Sequence, residues 1–204
     1  MEGALLVVAA FLAGAVPFGY LIGQASGIDV RRVGSGNIGA ANLLRSVGRS
    51  AALLTLLLDA GKGAAPVAVA RWAGLAAEWQ AAAAAAAVLG HSYTPFLKFR
   101  GGKGVATTLG ALAVGSWPVA SAAVAIWLAT AALFRFTSLA ALVAAVLLPG
   151  LSWWLDGRAA FVALTLALAA LLVWRHRENI ARLRRGTEPR IGQRMAAVPQ
   201  RPAA

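Results

Sequence analysis

The chain has 204 residues, 60% of them hydrophobic and 13% charged, with a mean hydropathy of +0.72, whereas a soluble domain of this size carries about a quarter charged residues. The net charge of +12 would suggest nucleic acid in a soluble protein, but these Lys and Arg sit between apolar runs, so lipid head groups and phosphate-bearing substrates are the expected partners and nucleic acid is not. There is no cysteine, which rules out disulfides, thiolate metal sites and a thioester enzyme intermediate.

A membrane span needs ~20 mostly apolar residues to cross ~30 Å of hydrocarbon. The pattern predicts an all-α, polytopic helical bundle with seven spans, at roughly 3–24, 49–71, 75–90, 105–116, 118–134, 138–155 and 158–175. The N-terminus turns apolar after Met1-Glu2 without a basic stretch or a cleavage site, so 3–24 is expected as a retained first span. The third span is short and filled by the run Ala81–Ala87; small residues let helices approach closely in lipid. One helix over 105–134 would be ~45 Å long at 1.5 Å per residue, too long for the core. Ser116-Trp117-Pro118 supplies the break and leaves two short spans. A five-span alternative has the same parity.

Odd-numbered spans then end on one face. That face receives Arg31, Arg32, Arg45, Arg49, Lys98, Arg100, Lys103, Arg135 and the eight arginines from Arg175 to Arg201; the other receives Arg71 and Arg158. The bias puts the basic face in the cytoplasm, the N-terminus outside and the C-terminus inside. The whole of 1–204 reads as a single integral membrane domain, with 195–204 as a disordered tail.

Three segments on the basic face are more than loops. The first, 34–45, places Gly34, Gly36 and Gly39 in six positions, freeing the backbone for positive φ and for turning successive N–H groups onto one anion. Ser35, Asn37 and Asn42 add neutral hydrogen-bonding groups, and Arg45 adds a bidentate phosphate partner. The second, 90–107, runs Gly101-Gly102-Lys103-Gly104 straight into an apolar span, and a helix start behind a glycine turn is a ready anion site. It is not a Walker A loop, because the glycine spacing fails and no Ser or Thr follows Lys103. His91 there is either an interfacial or capping residue or a chemical one. The third, 175–188, is expected to continue the last span. His176 and Asn179 lie three apart on one helix face, and Glu178 is placed to pair with an arginine. A fourth feature is Asp59 with Lys62, three apart within the second span. Ionisable groups in a span face the protein interior or a cavity. Either the two neutralise each other, or Lys62 helps to hold an anionic substrate.

At these residues the sequence resembles the acyl-phosphate-dependent glycerol-3-phosphate acyltransferases of the bacterial inner membrane. The resemblance rests on GSGNIGAANLLR at 34–45, GHSYTPFLKFRGGKGVAT at 90–107 and RHRENIARLRRGTE at 175–188. It implies transfer of a fatty acyl group from acyl phosphate to the 1-hydroxyl of glycerol 3-phosphate, giving lysophosphatidate and phosphate. It also implies roles for Ser35 and Arg45, for Lys103 with the glycines around it, and for His176 and Asn179, with Glu178 structural. No cofactor, no metal and no obligate protein partner are expected. The chain departs from the family in having Ala41 where Thr is usual, which removes a hydroxyl, and in the placement of Thr94-Pro95. The chemistry is consistent with this. An activated mixed anhydride needs no covalent enzyme intermediate, only positioning, charge stabilisation on the leaving phosphate and an acceptor for the hydroxyl proton. That acceptor is either His176 or the departing phosphate.

Two other enzyme classes do not fit. The His-x4-Asp acyltransferase motif is absent, since His91 is followed by Phe96 and His176 by Ala181 in that register. Asp29, Asp59 and Asp156 lie too far apart in sequence for the clustered aspartates of CDP-alcohol phosphotransferases. The alternative from another class is a transporter of a phosphorylated solute or lipid. A transporter would place its polar groups near the midplane, whereas here they crowd at one interface.

Overall fold

The computed structural model describes residues 1–193, and the expectation for 195–204 lies outside them. Every regular element among the described residues is helical. They are α1 (Glu2–Ala15), α2 (Phe18–Ala25), α3 (Ala40–Ser46), α4 (Arg49–Trp72), α5 (Ala77–Ser92), α6 (Val105–Gly115), α7 (Trp117–Phe134), α8 (Thr137–Leu155), α9 (Ala159–Arg175) and α10 (Arg177–Arg184), with one 3₁₀ turn at Pro95–Leu97. Helices satisfy their own backbone, which is why such apolar segments adopt them where water is absent.

The helices coincide with the expected spans, with two corrections. The first span is not continuous. It breaks at Val16-Pro17 into α1 and α2, because proline lacks an N–H and its ring clashes with the preceding turn. The carbonyls freed at the break find side-chain donors elsewhere. Thr94 Oγ1 donates to Ala15 O at 2.6 Å, and Lys62 Nζ donates to Val16 O at 2.8 Å. Nor does the third motif extend the last span. The chain bends by 56° between α9 and α10, where the apolar run gives way to arginines, and His176 occupies the corner.

By length and apolar character, four spans qualify as membrane-crossing: α1 with α2, α4, α7 and α8. Taking α9 with α10 makes a fifth. α5 has 16 residues and α6 only 11, about 24 Å and 16 Å at 1.5 Å per residue. This is an integral, multi-pass membrane architecture.

Small residues set the closest crossings. A Cβ on Gly14 would lie 2.1 Å from Ala87 O, and one on Gly90 2.1 Å from Phe11 O, so α1 and α5 pack backbone to backbone. The pair α4 and α6 does the same through Gly63 against Thr107 O and Gly110 against Ala60 O. Such contacts replace the hydrophobic drive that lipid removes. Phe161, Leu112, Leu164 and Leu168 form the largest apolar core with α5 and α8 around them. The sequential helices run alternately up and down. The starts of α4, α6 and α8 therefore meet the ends of α5, α7 and α9, and all three motif segments fall at that end of the bundle.

Candidate active site

The first motif is a turn fastened by one side chain. Gly34 and Gly36 adopt φ of +60° and +69°, which favours glycine. Asn42, fully buried on α3, donates through its amide to Val30 O and Val33 O at 2.9 and 3.2 Å and accepts from Ser35 N at 2.9 Å. Asn37 accepts Gly39 N at 2.9 Å, and Gly39 sits at φ −80° as the residue before α3. The Ser35 hydroxyl makes no hydrogen bond to protein among the described residues. Arg45 closes α3 with its Nε buried and without a protein partner. Burial pulls the Arg45 guanidinium below its ordinary value, with Glu188 opposing and Arg182 adding to the shift.

The second motif needs its glycines for space more than for conformation. Gly101 N donates to Ser92 O and Gly102 N to His91 O, at 3.2 and 3.0 Å, so the turn lies against the C-terminal carbonyls of α5. A Cβ on Gly101 would lie 2.0 Å from His91 O, and one on Gly102 would lie 2.1 Å from His91 Nε2. Only Gly104 of the group has positive φ, +89°, at the residue that opens α6.

The third motif closes the site from the opposite side. Arg175 donates to Gly102 O at 3.1 Å and to Gly101 O at 2.8 Å, clamping the turn. Lys103 Nζ donates to Asn179 Oδ1. Asn179 Nδ2 donates to Glu188 Oε1, and Arg182 Nε donates to Glu188 Oε2, both at 2.7 Å. The result is a relay from Arg182 through Glu188 and Asn179 to the lysine of the second motif. Burial pushes the Lys103 ammonium down to about 8, with the charges of Arg182 and Arg45 adding to the shift and Glu188 opposing it. His176 is buried at the corner, and its Nδ1 lies 2.8 Å from Leu172 O. A carbonyl only accepts, so Nδ1 carries the proton and Nε2 holds the lone pair. Burial, then the Lys103 charge, pulls His176 down to about 4, which keeps the imidazole neutral at neutral pH.

This pattern of three motifs agrees with the comparisons. The family model described as glycerol-3-phosphate acyltransferase matches residues 4–186. The chain belongs to that family. A glycerol-3-phosphate acyltransferase of Dinoroseobacter shibae is 53% identical over 191 residues, covering 93% of this chain and 93% of the relative. One of Cereibacter sphaeroides is 52% identical, covering 90% and 87%. Two crystal structures of PlsY, described as an integral membrane glycerol 3-phosphate acyltransferase, superpose with TM-scores of 0.90 and 0.88 at 36% and 35% identity, each covering 94% of this chain and 96% of theirs. One is the glycerol 3-phosphate form and the other the lysophosphatidic acid form.

Within this acyltransferase frame the structure gathers Lys103, Asn179 and, through charge, Arg45 around Glu188; His176 faces the charge of Lys103. Several expectations change. Asn42 has both amide hydrogens and its carbonyl engaged with backbone, so it holds the turn and leaves no donor for a substrate. The Asn37 carbonyl is likewise taken by its own turn. Lys62 is not brought to the site: it pairs with Asp59 at 2.9 Å and caps Val16 O, so mutual neutralisation is the arrangement realised. Glu178 is exposed and forms no ion pair among the described residues. The carboxylate that pairs with an arginine is Glu188, ten residues on. Arg175, Arg182 and Glu188 were the residues that sequence reasoning left without a role. All three lie within the third motif: Arg175, at the end of α9, reaches the glycine turn, while the turn at Gly186 brings Glu188 back to Asn179 and Arg182 on α10.

Proposed function

We propose that this chain transfers a fatty acyl group from acyl phosphate to the 1-hydroxyl of glycerol 3-phosphate, releasing lysophosphatidate and phosphate. The observation that carries this reading is the Arg182–Glu188–Asn179–Lys103 relay beside Arg45, which leaves cationic donors free at one end of a membrane bundle. The relatives' names and the glycerol 3-phosphate and lysophosphatidic acid forms of PlsY support it. Lys103 with the N–H groups near the start of α6 holds one phosphate, and Arg45 holds the other. Ser35 and Asn179 orient the reacting groups, and the acyl chain lies between spans.

In the transfer, the 1-hydroxyl oxygen attacks the acyl carbon and the bond from that carbon to the phosphate oxygen breaks. The departing phosphate gains a negative charge as its bond to the acyl carbon breaks, whereas burial holds the His176 imidazole neutral and only weakly basic. The phosphate is therefore the stronger base and takes the hydroxyl proton, while His176 Nε2 accepts a hydrogen bond from that hydroxyl and aims it.

We read 1–204 as one integral membrane domain with seven spans, the two short helices α5 and α6 included. The N-terminus lies outside, and the site faces the cytoplasm of a bacterial inner membrane, where water-soluble glycerol 3-phosphate arrives. The alternation of helix directions and the excess of Lys and Arg at the site end favour this. Purified protein in a bilayer mimic should release phosphate from acyl phosphate only when glycerol 3-phosphate is present. Uptake of labelled solute into sealed vesicles, without acyl transfer, would favour the transporter.

A further inference from the structure

Three ionisable side chains lie inside the bundle and outside the chemistry just described. Asp59 and Lys62 project from α4, His91 from α5, and all three are buried. Lys62 Nζ is 2.9 Å from Asp59 Oδ1, and His91 Nδ1 is 3.6 Å from the same oxygen. Mutual neutralisation of Asp59 and Lys62 explains two of them. It does not explain an imidazole buried against the same carboxylate, since a pair that is already neutral needs no third ionisable group.

His91 is where this cluster meets the glycine turn. Its backbone carbonyl accepts Gly102 N at 3.0 Å. Its ring lies so close under Gly102 that a Cβ there would be 2.1 Å from Nε2. The ring is thus packed between Asp59 on one side and the turn that presents Lys103 on the other. Arg175 bonds Gly101 O and Gly102 O through its guanidinium, so the turn is held between Arg175 and the His91 end of α5. Lys62 extends the chain of contacts to Val16 O at the break of the first span.

We propose that His91, fixed by the Asp59–Lys62 pair, is a positioning residue for the Gly101–Lys103 turn and so for the phosphate that Lys103 holds. The inference rests on the proposed acyl transfer for its readout. It concerns only how the turn is supported.

The test compares purified variants with the wild-type enzyme by KM for each substrate, kcat and melting temperature. Lys103→Ala first identifies which substrate's KM depends on the turn. His91→Ala should raise that same KM about tenfold and leave the other substrate's KM within about twofold. His91→Asn, whose amide nitrogen stands where Nδ1 stands, should restore most of the loss. Asp59→Asn with Lys62→Met removes both charges together and leaves none unpaired. If the pair only neutralises itself, this double variant has wild-type KM values; if it fixes His91, it shares the defect of His91→Ala. The proposal is overturned if His91→Ala lowers kcat alone with both KM values unchanged, or if the double variant keeps wild-type KM values. Should His91→Ala fail to fold, the double variant decides by the same KM criterion. Wild-type protein without acyl transfer would defeat the functional reading instead. In that case the rate of Lys103 acetylation by an amine-reactive reagent, read by mass spectrometry, should still rise several-fold in His91→Ala and in the double variant relative to wild type, with His91→Asn close to wild type; no change in the first two would overturn the positioning role.

Discussion

At the end of the bundle away from the motifs, Arg71 donates to Val114 O, while Arg158 donates to Gly115 O at 2.6 Å and to both oxygens of Asp156. At the motif end, Arg45 keeps a buried Nε without a protein partner, and a single protein hydrogen bond from Lys103 Nζ, to Asn179, is seen among the described residues. Both ends hold cations, but among the described residues only the motif end keeps a buried cationic donor, Arg45 Nε, without a protein partner. The far end has a structural cause. With 11 residues α6 stops short, and its last carbonyls, which have no helical partner, are met by arginines reaching in from α4 and from the start of α9. Trp72, Trp117, Trp153 and Trp154 stand exposed around that end, as interfacial tryptophans do. Unused donors, more than the number of cations, mark the end that can bind an anion.

This comparison can be broken or sharpened by substitution. Lys103→Ala should have the largest effect, about 10²–10³-fold in kcat/KM, the usual cost of removing a donor aimed at developing charge. Arg45→Ala should follow at about 10–100-fold, in line with ~1.5–3 kcal/mol for a hydrogen bond to a charged group. Glu188→Gln touches neither substrate and should cost about tenfold by loosening Asn179 and Arg182; a loss as large as that of Lys103→Ala would place Glu188 in the chemistry itself. The pH profile gives a fourth test. Lys103 is charged below about 8, so kcat/KM should hold below that value and fall by up to about tenfold per pH unit above it, since kcat/KM reports the free enzyme. The smallest effect on activity belongs to the far end. Arg158→Met should leave kcat/KM within about twofold yet lower the melting temperature in detergent, because an abandoned buried acceptor costs about 1–3 kcal/mol.

The helices were legible in the sequence because apolar run length and Ser116-Trp117-Pro118 are local signals. Pro17 was an equally local signal, and the break it causes should have been expected; the long apolar run masked it. The motif residues were legible as a set. What could not be read along the chain was how each polar group is used. Asn42 looks like a ligand until its amide is seen holding Val30 and Val33. Glu178 and Glu188 are indistinguishable until α10 leaves one facing solvent and the turn at Gly186 brings the other back to Asn179. Lys62 could face a substrate or Asp59, and only the packing of α4 against the broken first span decides for Asp59.

The most direct measurement is kcat/KM for acyl transfer from acyl phosphate to glycerol 3-phosphate by wild type, Lys103→Ala, Arg45→Ala and Arg158→Met, purified in one bilayer mimic. The account predicts glycerol 3-phosphate-dependent phosphate release by the wild type, losses of at least about tenfold at the two motif-end cations and none at the far end. Wild-type kcat/KM in both Lys103→Ala and Arg45→Ala would contradict it.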